Sequence, residues 1–119
     1  MGGYPPQGTG PALVLKLVGE GTLTANGSEQ TVFESAEKGV FEGWIDLANM
    51  ASGDTTVVNI YVKTKTDGAY RLYDSASYSG AQAAPALHII DVAAKGFKVT
   101  LQQTVGTYRT YDYQIFRRL

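Results

Sequence analysis

The chain contains no cysteine, which excludes disulfide staples and thiolate metal sites. Histidine occurs once, at position 88, so no histidine cluster is available for a metal triad. A Ser-His-Asp relay would have to be assembled by folding around that one residue. Charge is sparse, at 18% of residues against about a quarter in typical domains, and nearly balanced at a net of −1. That balance gives no basic surface for nucleic acid. No apolar run approaches the roughly 20 residues of a membrane span. The N-terminus lacks a basic segment followed by an apolar core, so no signal peptide is expected. Pro6 stands where a myristoylation motif needs Ser or Thr. Helical periodicity is nearly missing too, and only residues 48–54 (ANMASGD) allow a helical turn.

What the chain has is strand pattern. At 119 residues it is long enough for one domain with a real core. Residues 55–80 form its clearest stretch, two runs of strand formers joined at Thr66-Asp67-Gly68. A three-residue loop there sets Val62 opposite Leu72 and Val58 opposite Ala76, and it places the left-handed conformation on Gly68. The same reasoning at Thr104-Val105-Gly106 predicts a second hairpin. It would set Leu101 against Arg109, Val99 against Tyr111 and Phe97 against Tyr113.

Alternation supplies the remaining strands. Leu13, Leu15 and Leu17 share one face of the first, and a second short strand follows a break at Gly19. Thr31 and Phe33 alternate with Gln30, Val32 and Glu34. A loop is expected over residues 36–39. In the next strand Phe41, Gly43 and Ile45 oppose Trp44 and Asp46. Pro85 can open a strand over residues 86–92, and residues 93–96 read as a turn. Phe97, Val99, Leu101 and Gln103 then share a face, as do Tyr111, Tyr113 and Ile115. The total is eight or nine short strands with turn signals every 8–12 residues. This is the pattern of a single-domain, all-β, antiparallel β-sandwich or jelly roll over residues 12–119. Residues 1–11 (MGGYPPQGTGP) form a Gly- and Pro-rich arm, flexible or docked on a neighbour through Tyr4, Pro5 and Pro6.

No catalytic constellation emerges. The aspartates are scattered singly, and Asp67 beside Gly68 and Asp54 beside Gly53 are ordinary turn residues. A calcium site from Asn49, Asp54 and backbone carbonyls is possible in principle, but no loop alternates acidic positions as calcium loops do. No cofactor is expected. His88, between Leu87 and Ile89 in an apolar strand, reads as structural. Arg117 and Arg118 read as a solvated end. The eight tyrosines are the one unusual resource. Tyr61, Tyr70, Tyr73, Tyr78, Tyr108, Tyr111 and Tyr113 fall on neighbouring strands, where a row of them could anchor a protein interface, stack against a sugar, or simply pave a half-buried face.

Residues 43–55 (GWIDLANMASGDT) and 96–113 (GFKVTLQQTVGTYRTYDY) resemble small β-sandwich proteins found among the structural proteins of tailed viruses. The likeness spans about residues 18–116. It implies a virion component that assembles in the host cytoplasm, such as a capsid decoration (cement) or minor head–tail subunit. Its partners would be copies of itself or a major capsid protein, and it supplies no functional residues. The expectation is a non-enzymatic, self-assembling protein with interface residues Tyr4, Pro5, Pro6, Tyr70, Tyr73 and Tyr78. The alternatives are a carbohydrate-binding module with a tyrosine platform, taking a glycan as ligand, and a subunit of an extracellular filament.

Overall fold

The computed structural model describes residues 14–119. Tyr4, Pro5 and Pro6 of the expected arm lie outside the described residues. Among the described residues there is no helix. All regular structure is strand: β1 (Leu15–Thr24), β2 (Gln30–Asp46), β3 (Thr55–Lys63), β4 (Tyr70–Ser79), β5 (Ala86–Val105) and β6 (Thr110–Arg118). They form one antiparallel sheet in the order β1-β6-β2-β5-β3-β4. The expected helical turn over residues 48–54 is a pair of tight turns, closed by Met50 N–H on Leu47 O and Asp54 N–H on Ala51 O.

Six strands replace the eight or nine expected because three expected breaks do not break the ladder. The loop over residues 36–39 and the turn over residues 93–96 lie opposite each other, with Lys38 paired to Lys95 and Gly39 to Ala94. Pairing therefore runs through both. The irregularity is absorbed by a register shift between Ser35 and Lys38 and by Gly96 at φ 103°, a conformation that costs glycine nothing. The two short strands on each side fuse into the 17-residue β2 and the 20-residue β5. Gly19 is likewise only an irregularity within β1.

The bend lets one sheet cover its own inner face. The second half of β2 pairs with β6, which carries β1, whereas the second half of β5 pairs with β3, which carries β4. Side chains from both halves then meet. Phe41 of β2 stacks on Phe97 of β5 with centroids 4.6 Å apart and planes parallel to 1°, and Phe33 tilts against both. Val58, Ile60, Val99, Leu101, Tyr111 and Ile115 complete the centre of the core. Full burial of each large apolar side chain contributes about 1.5–3 kcal/mol. The inward rows at 97–103, 111–115 and 41–45 are thus as alternation implies. The leucine row is not: Leu15 and Leu17 are about half exposed on β1, which lies at the edge of the sheet, and Val18 turns toward the core instead. Val32 and Phe33 both reach inward because a bulge between Thr31 and Phe33 suspends the alternation.

Both hairpin expectations need correction. In the first, Val58 does face Ala76, but a bulge after Ile60 shifts the pairs nearer the turn to Tyr61 with Leu72 and Val62 with Arg71. The left-handed residue is Asp67 (φ 64°), not Gly68, whose N–H closes the turn on Lys65 O at 2.9 Å. Aspartate tolerates that region better than most residues. The second hairpin does not form. β6 pairs with β1 and β2, and β5 pairs with β2 and β3. Residues 106–109 instead cross from one half of the sheet to the other.

That crossing is held by buried polar groups. Gln103 is fully buried at the end of the apolar row. Its amide donates to Val105 O and Thr107 O, and its carbonyl accepts from Arg109 N–H and from the Tyr111 hydroxyl. The Tyr111 proton is thereby used, so Thr56 donates to Tyr111 at 2.6 Å. Asp54 accepts from Arg109 Nε at 2.7 Å, Ala51 N–H at 2.9 Å and Thr107 N–H at 3.2 Å. These interactions satisfy backbone groups that an irregular buried segment would otherwise leave unpaired.

Candidate interface groove

A groove of about 240 Å³ opens between β4 and the first half of β5. Its floor is apolar, formed by Val58 and Ile60 of β3 with Ile89 and Val92 of β5. Its walls carry Tyr73, Tyr78 and Ile90 together with the polar side chains of Asp74, His88 and Asp91. Topology explains the opening. β4 ends the sheet, and residues 86–95 of β5 pair only with β2, so each strand has one edge without a strand partner among the described residues. Tyr73 is 60% exposed and Ile90 is 71% exposed, so two large apolar groups stand in solvent beside an apolar floor. Tyr73 reaches this position because the bulge opposite Ile60 and Tyr61 interrupts the alternation of β4. Tyr78 turns inward against the core, where burial, and then the Asp74 carboxylate, push its hydroxyl up from the ordinary value.

The three β4 tyrosines expected to act together are therefore divided. Tyr73 and Tyr78 share the groove. Tyr70 does not line it; it sits beside Lys63 and Lys98, with the ammonium groups 5.1 and 4.8 Å from its ring centroid. Burial and the neighbouring Glu34 carboxylate push the Tyr70 hydroxyl up to about 12. Tyr61 takes a cation contact from Lys98 and donates to Glu29, which also accepts from Thr100 and Asn59. Those hydrogen bonds, Thr100 first, hold the Glu29 carboxyl below the usual range. Tyr111 is fully buried and Tyr113 half-buried. A continuous row of exposed tyrosine rings across neighbouring strands does not form.

Other candidate residues take structural work. The Asp54 carboxylate is occupied by Arg109, Ala51 and Thr107, and its pKa is lowered, chiefly by the Arg109 hydrogen bond. Asn49 donates its amide to Thr110. The two do not present a free oxygen set to calcium, and among the described residues no three acidic, histidine or cysteine side chains converge on a metal position. His88 is not an interior residue. It stacks on Trp44 at 4.5 Å on the outer face, with Nε2 3.6 Å from Glu42. Arg117 and Arg118 are not a free solvated end either. Arg118 reaches Glu42 at 3.1 Å and Asp91 at 2.5 Å, and Arg117 approaches Glu37 at 3.5 Å.

Sequence reasoning passed over Ile90, the most exposed large apolar residue of the groove, because ALHIIDV reads as uniformly apolar. The one signal was the His88-Ile90 spacing, which places Ile90 opposite in sense to the buried Ile89. The whole-chain comparisons return no family model, no curated protein and no solved structure similar to this chain.

Proposed function

We propose that this chain is a non-enzymatic virion structural protein, a capsid decoration or minor head–tail subunit, that assembles through its N-terminal arm and its tyrosine-bearing strands. The observation that carries the reading is the groove between β4 and β5, where exposed Tyr73 and Ile90 flank an apolar floor beside two unpaired strand edges. Such an arrangement suits an added strand, whose backbone pairs with an edge while alternate side chains fill the groove. A tyrosine anchor set in a well-packed, desolvated pocket is a common carrier of binding energy at interfaces. The arm, with Tyr4, Pro5 and Pro6, is a segment of suitable composition for docking on a neighbour.

On the same reading, the bent sheet acts as a two-layered β-sandwich. Its support is the core shared between the halves and a shortest dimension of 20 Å, room for two layers about 10 Å apart.

The test is removal of residues 1–11 together with a separate Ile90→Asp variant. Each should keep the melting profile of the parent while losing self-association or capsid binding in sedimentation assays. An arm-less chain that assembles normally would refute the arm's role. Normal assembly of Ile90→Asp would refute the groove's. The glycan-module alternative is supported only by the exposure of Tyr73, and it requires sugar binding that disappears in Tyr73→Ala.

A further inference from the structure

The sheet repeats itself about the β2–β5 pair. Its order, β1-β6-β2-β5-β3-β4, reads the same from either end when β2 stands for β5, β6 for β3 and β1 for β4. The registers agree. Lys38 pairs with Lys95 as Gly39 does with Ala94, and Phe33 with Val99 is matched by Ile89 with Gly43. Tyr113, Gln114 and Ile115 meet Ile45, Trp44 and Gly43, just as Val58, Asn59 and Ile60 meet Leu101, Thr100 and Val99. β1 and β4 each have 10 residues, and each drops one residue from its ladder, Val18 in β1 and Tyr73 in β4. The β4–β5 groove therefore has a counterpart, the seam between β1 and the first half of β2.

The two seams are filled differently. Beside β1 the counterparts of Ile89 and Val58 are Phe33 and Tyr113. Their rings lie against glycines: a Cβ at Gly19 would stand 2.6 Å from Phe33 Cδ1, and one at Gly21 3.0 Å from the Tyr113 hydroxyl oxygen. Val18 packs toward the core there. Beside β4, Asp74 and Ala76 stand in place of the glycines, and both rings are replaced by aliphatic side chains. Tyr73, the counterpart of Val18, is 60% exposed instead of turned in. The groove is thus a seam without the aromatic rings that pack its twin. An apolar cavity of about 150 Å³ takes a benzene ring, so a groove of about 240 Å³ has room for a phenol.

We propose, resting on the assembly reading above, that the β4–β5 groove receives the Tyr4 ring of a second copy of this chain. Tyr4 is the one aromatic residue before Val14. Pro5 and Pro6, which follow it, have no N–H to donate to a strand edge, so this part of the arm offers a ring rather than a ladder. The arm joins the sheet at β1, the opposite end of the strand order from β4, and β1 packs on the seam that is already filled. The open groove therefore suits a neighbour's arm. Inserted between β4 and β5, the ring packs on Ile89 and Val58 where Phe33 and Tyr113 pack in the twin seam, with Tyr73 and Tyr78 beside it.

The test uses the full chain carrying Tyr4→Ala, titrated with acetyl-Gly-Tyr-Pro-Pro-Gln-amide while the methyl signals of Val58, Ile60, Ile89 and Val92 are followed by NMR. Saturable upfield shifts are expected, with binding about tenfold weaker when leucine replaces the peptide's tyrosine. Ile89→Phe supplies the missing ring from within, so it should abolish the shifts at the other three residues without lowering the melting temperature. The leucine peptide decides the same point if that variant does not fold. In sedimentation the parent and Tyr4→Phe should associate alike, and Tyr4→Ala about tenfold more weakly. Absent shifts, equal binding of the leucine peptide, or undiminished shifts in folded Ile89→Phe would overturn the ring site. A monomeric parent whose methyl signals already show the shifts would overturn the second copy and put the chain's own arm in the groove. Association that survives Tyr4→Ala but not removal of residues 1–11 would refute Tyr4 and leave the assembly reading standing. A parent that does not associate although the peptide binds would refute both the second copy and the assembly reading.

Discussion

Tyr111→Phe is the most direct probe of how the sheet covers itself. Tyr111 lies on β6 and Thr56 on β3, strands that are not neighbours in the sheet. Their hydroxyls nonetheless meet at 2.6 Å inside the core, and Tyr111 passes the chain of hydrogen bonds to Gln103. Phenylalanine keeps the ring and the packing while removing the oxygen. It leaves the fully buried Thr56 hydroxyl without its acceptor, whereas Gln103 still accepts from Arg109. A buried donor left unsatisfied costs about 1–3 kcal/mol. For a domain of this size that is on the order of 5–12 °C in Tm. Thr56→Val removes the other partner with little change of shape. If the two groups touch, the double variant should be less destabilised than the sum of the single variants by about 1 kcal/mol, because no orphan remains. Denaturant unfolding of the four proteins measures this. Strict additivity, or a Tyr111→Phe effect under about 0.5 kcal/mol, would show that β3 and β6 do not meet as described.

Three further outcomes are expected. Phe97→Ala removes half of the parallel Phe41 stack from a fully buried position and should cost about 3–5 kcal/mol in denaturant unfolding. Gly106→Ala should be strongly destabilising by the same assay, since Gly106 adopts φ 97° and its pro-side-chain position is filled by Asp54. Acid should weaken the fold. Glu29 and Asp54 both titrate below their ordinary values of 4.5 and 3.8, so each contributes stability present above those values and lost as pH falls through the depressed folded pKa. Melting followed from pH 6 to pH 2 should show the loss, and Asp54→Asn should flatten part of it.

Much of the strand content was legible because alternation is a local property. A residue such as Val99 or Ile115 declares a side simply by its spacing from other apolar residues. The β5–β6 hairpin was misread because a short Gly-containing connection fits a hairpin equally well as a crossing between two halves of a bent sheet. The choice depended on Gln103 and Asp54, whose polar side chains turn inward to satisfy the backbone of residues 105–109. Alternation put Gln103 on the inward face, but nothing local marks which backbone groups its amide will satisfy. The groove was partly legible, in that Tyr73 and Tyr78 were singled out. Its shape was not, because the bulge that redirects Tyr73 arises only when β4 is laid against β3.

The amino-acid order by itself determined that the chain is all-β, which residues of the 97–103 and 111–115 runs share a face, and that no thiol or histidine cluster is present. Tertiary structure alone decided that opposed irregularities at residues 36–39 and 93–96 would bend two long strands rather than end four short ones. It also decided which edges stay open, and that Trp44 would stack on His88. The physical reason is that side-chain alternation follows from each strand's own pleat. Strand partnership is settled by packing and hydrogen bonding between residues far apart in sequence, where a single bulge changes every pair beyond it.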